Sequence, residues 1–275
     1  MKNLSKLAAV AIAVMAASPA YAGKGGSAAL INSAVQSGSV GAIRAEVERT
    51  EGLNCEECVQ TLTNLTADPR YEVREVAAWW FAKRPALLQV MVGAMEDDLG
   101  SSDSVHVRNA ADFLGRVRQY QALPGLAAAM GRGLSSDAKL AIVRAVAFMA
   151  HVKGNPILQT AMGDADPAVR AAAVDAWRNV LGQTSVVPVE PLLRDSDAHV
   201  RAEAAMVVGA YADQAARPVL EQIVTSDVDA STRRNAAWAL GQIGSKQSAP
   251  ALAIASTDAS GLVRQVAKAA LGQLK

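Results

Sequence analysis

The sequence has few aromatic residues, only two cysteines and almost no net charge. Aromatic residues make up 4% of its 275 positions, and 27 basic side chains face 26 acidic ones. This balance gives no electrostatic support for nucleic-acid binding, and a hydrophobic fraction of 51% excludes an intrinsically disordered chain. Two cysteines cannot hold a chain of this length together as a disulfide scaffold. Alanine is abundant instead, at about one position in five, which favours closely packed helices.

Residues 1–22 have the three-part layout of a secretory signal peptide. Lys2 and Lys6 give a positive start, and residues 7–17 form an apolar run before an Ala-Tyr-Ala cleavage site. This run is shorter than the roughly 20 residues that a membrane span needs. We therefore predict cleavage between Ala22 and Gly23 and a mature protein in the bacterial periplasm. Removal of residues 1–22 takes away two lysines and no acidic residue. The mature chain would therefore have one basic side chain fewer than its 26 acidic ones.

A short pattern recurs seven times along the rest of the chain. An Asp precedes an apolar residue and an Arg, and an Ala follows the Arg three positions later. The arginines recur with a mean spacing of about 32 residues, which indicates a repeat architecture. The pairs are Asp68 and Arg74, Asp103 and Arg108, Asp137 and Arg144, Asp166 and Arg170, Asp197 and Arg201, Asp229 and Arg233, and Asp258 and Arg264.

Each copy has the pattern of a helix followed by a second helix. The Asp or a neighbouring Ser is predicted to cap the first helix, whose apolar residues recur at three- and four-residue spacing. Glycines are predicted to end several first helices in the left-handed conformation: Gly115, Gly182, Gly209, Gly241 and Gly272. Prolines are predicted to open the second helices: Pro85, Pro124, Pro156, Pro188, Pro218 and Pro250. Such pairs must stack to bury a shared core, which predicts an α-solenoid.

The Asp…apolar-Arg-x-x-Ala helix followed by a proline-opened helix resembles HEAT repeats, in particular the short HEAT-like repeats first named from phycobilisome lyases. The resemblance covers residues 68–275 and implies an all-α fold, a right-handed α-solenoid of about seven helix-turn-helix repeats. Residues 23–67 are predicted to form an N-terminal helical cap. The alternative is a degenerate repeat there, because Ile43-Arg44 lies nearly one repeat length before Arg74. The resemblance also implies that the repeated Asp and Arg residues form a structural ladder rather than a row of anion-binding sites.

Cys55 and Cys58 lie beside Asn54 and Glu57, which have the spacing of a helix capping box. Covalent haem attachment would need histidine where Val59 stands. Zinc would need about four ligands, and no histidine is near in sequence, while a thioredoxin-like role would need a βαβ context. We therefore favour a local structural disulfide formed in an oxidising compartment, and a redox role stays open.

Two histidines and one cluster of three aromatic residues also stand out. His106 and His199 share a repeat position about three repeats apart, so they are predicted to be surface residues rather than ligands of one metal. Trp79, Trp80 and Phe81 are adjacent, and neighbouring residues on a helix point about 100° apart. At least one of these rings must therefore reach another repeat, the cap or a ligand.

The sequence contains no arrangement with the pattern of an active site. It has no Ser/His/Asp, Cys/His or paired-carboxylate arrangement with supporting context, no glycine-rich phosphate loop and no metal motif. The repeated His-Glu pairs of the HEAT-like dinuclear-iron hydroxylases are also missing. We therefore predict a non-enzymatic protein with no cofactor and no metal.

The two helices of each predicted pair differ in charge. The second-helix segments 85–95, 121–131, 154–163 and 249–257 contain no charged residue. In HEAT-like solenoids these helices line the concave face, so we expect that face to be covered or to form an apolar groove. Candidate ligand contacts are Met91, Met95, Met130 and Met162, with Trp79 and Trp80. The alternative is that abundant alanine simply packs the repeats tightly.

These features predict a periplasmic binding or scaffold protein that holds a protein or peptide partner on its concave face. The alternative is a carrier of a hydrophobic small molecule, such as a lipid or sterol, in an apolar groove. A chromophore lyase or maturation factor is a third hypothesis that only the family name implies.

Overall fold

The computed structural model of the protein describes residues 26–274. The predicted signal peptide, with its cleavage site between Ala22 and Gly23, lies outside the described residues and remains a prediction. The described chain divides into two compact units at residue 149, and each unit is described by itself. Fifteen α-helices and four 3₁₀ helices form within residues 26–274, with no β-strand among them. The predicted all-α fold of repeated helix pairs is confirmed.

The first unit stacks four helices in series, and the remaining helices pack beside them. Helices α2, α4, α6 and α8 contact one another in this order and are the first helices of their pairs. Helices α3, α5 and α7 are the second helices, and each precedes and contacts the next first helix. The bounds are α1 Ala28–Ser37, α2 Val40–Arg49, α3 Glu56–Leu65, α4 Tyr71–Ala82, α5 Pro85–Asp98, α6 Ser104–Arg116, α7 Leu123–Met130 and α8 Ser136–Met149. A 3₁₀ turn at Tyr120–Ala122 leads into α7.

The second unit repeats the same arrangement. Helices α10, α11, α13 and α15 stack in series, and the second helices α12 and α14 contact each other. The bounds are α9 Asn155–Met162, α10 Pro167–Arg178, α11 Ala198–Ala210, α12 Arg217–Ser226, α13 Ala230–Ile243, α14 Ala249–Ala255 and α15 Gly261–Leu271. Three 3₁₀ helices lie at Val152–Gly154, Glu190–Arg194 and Lys246–Ser248.

Helix starts follow the predicted signals in most copies. Asp103, Asp166, Asp197 and Asp229 are N-caps whose carboxylates accept backbone N–H groups two or three residues ahead. Five prolines lie in the first two positions of α5, α7, α9, α12 and α14. The prediction for Pro188 is wrong, because this stretch forms only the 3₁₀ helix Glu190–Arg194.

Three glycines that were expected to end helices lie inside them instead. Gly115, Gly209 and Gly241 belong to α6, α11 and α13. A Cβ atom placed on Gly209 would lie 2.7 Å from the Cα atom of Ala239 in the next first helix. Glycine is therefore needed there for the close approach of two helices, not for a left-handed turn.

Candidate functional site

The four methionines predicted to line a groove are core residues. Met91, Met95, Met130 and Met162 are 2%, 7%, 3% and 6% exposed. They take the inward stripe of their amphipathic second helices, with Met91 and Met95 one turn apart on α5. The expectation that these side chains contact a ligand is therefore wrong.

The second helices expose short, uncharged side chains instead of an apolar groove. Most solvent-facing positions of α5, α7, α9, α12 and α14 are occupied by alanine, proline, glycine, glutamine and threonine. In the first unit these include Ala86, Gln89, Gly93, Pro124, Ala127 and Ala128, and in the second unit Pro156, Gln159, Thr160, Pro218, Gln222 and Thr225. The exceptions include Glu96 and Asp97 near the end of α5 and Ile254 on α14, which is 60% exposed. The missing charge in these segments thus reflects a neutral surface as well as a tight core.

Trp80 is the aromatic ring that reaches the N-terminal segment. It is fully buried, and its indole N–H donates to the hydroxyl of Thr50 at 2.8 Å. The Arg84 guanidinium lies 3.5 Å from the centre of the Trp80 ring, and burial lowers the pKa of Arg84 to about 10. Trp79 is half-buried beneath Lys83, whose Nζ lies 5.5 Å from its ring centre. Trp80 thus packs against the N-terminal segment, while Trp79 lies half-buried at the surface.

Cys55 and Cys58 form a disulfide, with their sulfurs 1.99 Å apart. Cys55 is the N-cap residue of α3 and no side chain caps this helix, so the predicted capping box of Asn54 and Glu57 is wrong. Cys55 and Cys58 are 8% and 0% exposed. Their burial favours a structural role over thiol exchange, which needs an accessible sulfur. His106 and His199 are exposed, as predicted.

The arginines of the second unit form the predicted ladder. Arg170, Arg201 and Arg233 each make a two-bond contact with a carboxylate 25 or 26 residues ahead, at N–O distances of 2.7 to 2.9 Å. Each also donates from Nη1 to the carbonyls six and five residues earlier, as does Arg264. The guanidinium groups of Arg170, Arg201 and Arg233 therefore each link the turn before their own helix to the turn before the next first helix.

The acids of this ladder differ from the predicted ones. The partners are Asp195, Asp227 and Asp258, of which only Asp258 was predicted. Asp166, Asp197 and Asp229 cap helices instead, two residues after the acid of the same turn. The doubled Asp-x-Asp spacing at 164–166, 195–197 and 227–229 is the sequence signal that separates the two roles.

The pKa values of the ladder acids reflect these contacts. Hydrogen bonds from Arg233 lower the pKa of Asp258. Burial raises the pKa of Asp227, but the bonds and charge of Arg201 outweigh it and the net shift is downward. The arginines thus stabilise the charged acids and have structural partners, which supports a ladder over a row of ligand sites.

The first unit departs from this pattern. Arg74 donates to the carbonyls of Asp68 and Pro69, as in the ladder, but its acid partner is Asp112 inside α6. Ser101 holds the equivalent turn position, where its hydroxyl accepts the N–H of Asp103. Because Ser101 has no carboxylate, Arg74 pairs with Asp112 instead.

The other predicted pairs of the first unit are also rearranged. Asp68 bonds Arg70 rather than Arg74 through its carboxylate. Arg108 contacts Asn109 and the exposed Asp137, whereas Arg144 reaches Asp112. Arg108 and Arg144 therefore lie outside the regular ladder.

A groove of about 480 Å³ opens in the second unit beside the 3₁₀ helix Glu190–Arg194. Its apolar wall consists of Val187, Pro191, Leu193, Ala215, Ala216 and Val219. Val187 is 66% exposed, and Glu190 and Arg194 also line the groove. The groove exists because a short 3₁₀ helix replaces a full second helix, leaving space against the start of α12.

Two further kinds of feature are missing from the part of the chain that the structure describes. No group of histidine, cysteine, aspartate and glutamate within residues 26–274 could hold a metal ion. No helix in the same stretch has the length and apolar character needed to cross a membrane.

The fold defines the class of the protein, since stacked helix pairs make it an α-solenoid repeat protein. The HEAT repeats family model matches residues 186–272, so this part of the chain is similar to HEAT repeats. No curated protein matches the sequence.

Solved structures show the same fold at low sequence identity. The Escherichia coli protein YibA is 14% identical with a TM-score of 0.59, over 89% of this chain and 90% of that one. An engineered protein is 19% identical with a TM-score of 0.51, over 98% and 83%. Human deoxyhypusine hydroxylase is 18% identical over 99% and 97%, but its TM-score of 0.39 supports no conclusion about chemistry.

Proposed function

We propose that this protein is a non-enzymatic binding module that holds a segment of another protein in the groove of its second unit. The observation that carries the proposal is the open apolar groove between the 3₁₀ helix Glu190–Arg194 and α12. We further propose that the protein acts in the periplasm, as its N-terminal sequence predicts.

The chemistry of the groove suits a short stretch of an extended peptide that carries an apolar side chain. Its volume of about 480 Å³ falls within the roughly 300–1,000 Å³ typical of ligand sites. Glu190 and Arg194 carry opposite charges beside the apolar wall, so they can pair with polar groups that flank the buried side chain. An exposed valine such as Val187 gains by being covered, because burial removes apolar surface from water.

The alternative is a carrier of a lipid or sterol. Its support from the sequence is the absence of charge on several second helices, but the methionines expected to line an apolar groove there are buried in the core. The lyase hypothesis has no candidate catalytic residue. A peptide partner is therefore the function that the surface supports best.

The test is a peptide-display selection on the mature protein, followed by affinity measurements on the selected peptides. Val187→Asp should weaken peptide binding at least tenfold, because it would bury a carboxylate against an apolar ligand. Leu262→Asp is the matched control, since Leu262 is 60% exposed in the first turn of α15, where an acid is tolerated.

Equal affinity of the wild type and Val187→Asp would refute the groove as the peptide site. Native mass spectrometry of protein isolated from its own compartment tests the alternative of a lipid or sterol carrier. A stoichiometric lipid adduct would support the carrier instead. An N-terminus at Gly23 in the periplasmic fraction would support the proposed location.

A further inference from the structure

Four arginines surround two carboxylates on the first helices of the first unit. Glu75 on α4 lies between Arg44 and Arg116, with one N–O contact of 3.1 Å to each. Asp112 on α6 lies between Arg74 and Arg144, and each of these makes two bonds to one carboxylate oxygen. Each acid thus serves two cations.

The second unit shows what a balanced arrangement looks like in this fold. There Arg170, Arg201 and Arg233 each have one carboxylate to themselves. By comparison, the cluster of Arg44, Arg74, Arg116 and Arg144 with Glu75 and Asp112 carries two positive charges in excess. Because each acid is shared by two arginines, part of the positive charge is not neutralised, and an external anion would be favourable at this place.

The excess charge lies on the side of the cluster that solvent reaches. The side chains of Arg44, Arg116 and Arg144 are 43%, 30% and 32% exposed, whereas Arg74 is 3% exposed. Within residues 26–274, Arg116 donates through Nε alone and Arg44 through one Nη alone. Both therefore keep N–H groups free for a ligand.

Tyr71 adds a neutral donor to the same surface. It lies one turn before Glu75 on α4, and the Arg144 guanidinium stands 4.2 Å from the centre of its ring. Burial raises the pKa of Tyr71 to about 12, so the hydroxyl stays protonated at neutral pH and can donate a hydrogen bond.

We infer that Arg44, Arg116 and Arg144, together with the Tyr71 hydroxyl, form a binding site for a doubly charged oxyanion of the size of phosphate. The guanidinium fork matches the oxygens of phosphate and sulfate, and a dianion would neutralise the two excess charges. The same chemistry is offered by the free ion and by a phosphate monoester. In this site Glu75 is the internal competitor of the ligand, since it occupies one bond of each of two arginines.

Isothermal titration of the full chain with inorganic phosphate, sulfate and glycerol phosphate tests the inference. Sodium chloride at matched ionic strength is the reference. We expect saturable one-to-one binding to the wild type. Binding of glycerol phosphate but not of inorganic phosphate would assign the site to a phosphate monoester. Equal affinity for inorganic phosphate and glycerol phosphate would assign it to the free ion.

Variants of the cluster make the inference specific. Arg116→Gln and Arg44→Gln should each weaken binding about tenfold or more, whereas Glu75→Gln should strengthen it because the competing carboxylate is removed. Arg178→Gln is the matched control in the second unit, with a side chain 39% exposed and paired with Asp175. Circular dichroism of each variant confirms that it is folded.

Three results would overturn the inference. The first is no saturable signal for any of the three anions beyond that of chloride. The second is unchanged affinity in both Arg116→Gln and Arg44→Gln. The third is weaker binding by folded Glu75→Gln, which would make Glu75 a support of the arginines rather than a competitor.

Discussion

Asp112 and Arg74 form an ion pair between two helices while their side chains are only 1% and 3% exposed. The Nε atom of Arg74 lies 2.9 Å from Oδ2 of Asp112, and the residues are 38 positions apart in sequence. Arg144 binds the other carboxylate oxygen, so this one acid joins α4, α6 and α8. It takes the place of the turn carboxylate that Ser101 cannot supply.

Replacing Asp112 with asparagine should strongly destabilise the first unit. The change keeps the shape of the side chain but leaves Arg74 as a buried charge without its counter-ion, which costs about 3–5 kcal/mol in comparable cases. Urea unfolding followed by circular dichroism measures the loss. Asp137→Asn is the control, because that carboxylate is 62% exposed and such pairs contribute about 1 kcal/mol or less. Similar losses in the two variants would contradict the assigned role of Asp112.

Gly209→Ala should destabilise the second unit. The added Cβ would lie 2.7 Å from both Cα and Cβ of Ala239, so α11 and α13 would have to separate. Overpacking of this kind costs about 1–3 kcal/mol. Gly93→Ala is the opposite control, since no atom lies within 4 Å of the new Cβ in the middle of α5. It should stabilise the helix by about 0.5–1 kcal/mol, and thermal melts of both variants decide the matter.

The second unit should lose stability in acid. Arg233 lowers the pKa of Asp258 below that of the unfolded chain, which is about 3.9. The folded state therefore holds fewer protons there. The stability contributed by this ion pair is complete above about pH 5 and is lost as pH falls through the lowered pKa. Urea unfolding at pH 7, 4 and 3 should show this fall. Arg233→Gln should be less stable at pH 7 and lose less between pH 4 and pH 3, and parallel profiles would refute the pairing.

Reduction of the disulfide should have a small effect on unfolding. Cys55 and Cys58 close a loop with a sequence separation of 3, and short loops restrict the unfolded chain least. We expect a loss of about 2 kcal/mol or less. Melting of the oxidised protein beside a Cys55→Ser, Cys58→Ser double variant measures it. A much larger loss would mean that the disulfide also holds the folded α3 in place.

Most of the repeat architecture is predictable from local sequence. The repeat period, the aspartate caps and the prolines in the second helices define where helices start, because capping and φ restriction act within one turn. Pro188 shows the limit of this reasoning. A proline permits a helix start but cannot create one, and residues 182–189 pass into a 3₁₀ helix whose groove no sequence pattern indicated.

The candidate site was harder to predict, because it depends on the direction of each side chain. The four uncharged segments do lie on second helices, at α5, α7, α9 and α14. The side on which Met91 and Met95 lie, however, depends on which stripe of the helix faces the core. Likewise, the Asp-x-Asp spacing marks Asp195 and Asp197 as a pair with two roles, but only the tertiary structure shows that the ion-pair partner of Asp195 is Arg170.

The sequence by itself determined that this chain is a series of capped helix pairs, since those signals come from neighbouring residues. The tertiary structure decided which carboxylate each arginine binds, which glycines mark close helix contacts, and where a groove and a cluster of excess positive charge remain. These features depend on atoms from distant parts of the sequence coming within a few ångströms, as in the pairs Arg170–Asp195 and Arg116–Glu75, and no local propensity carries that information.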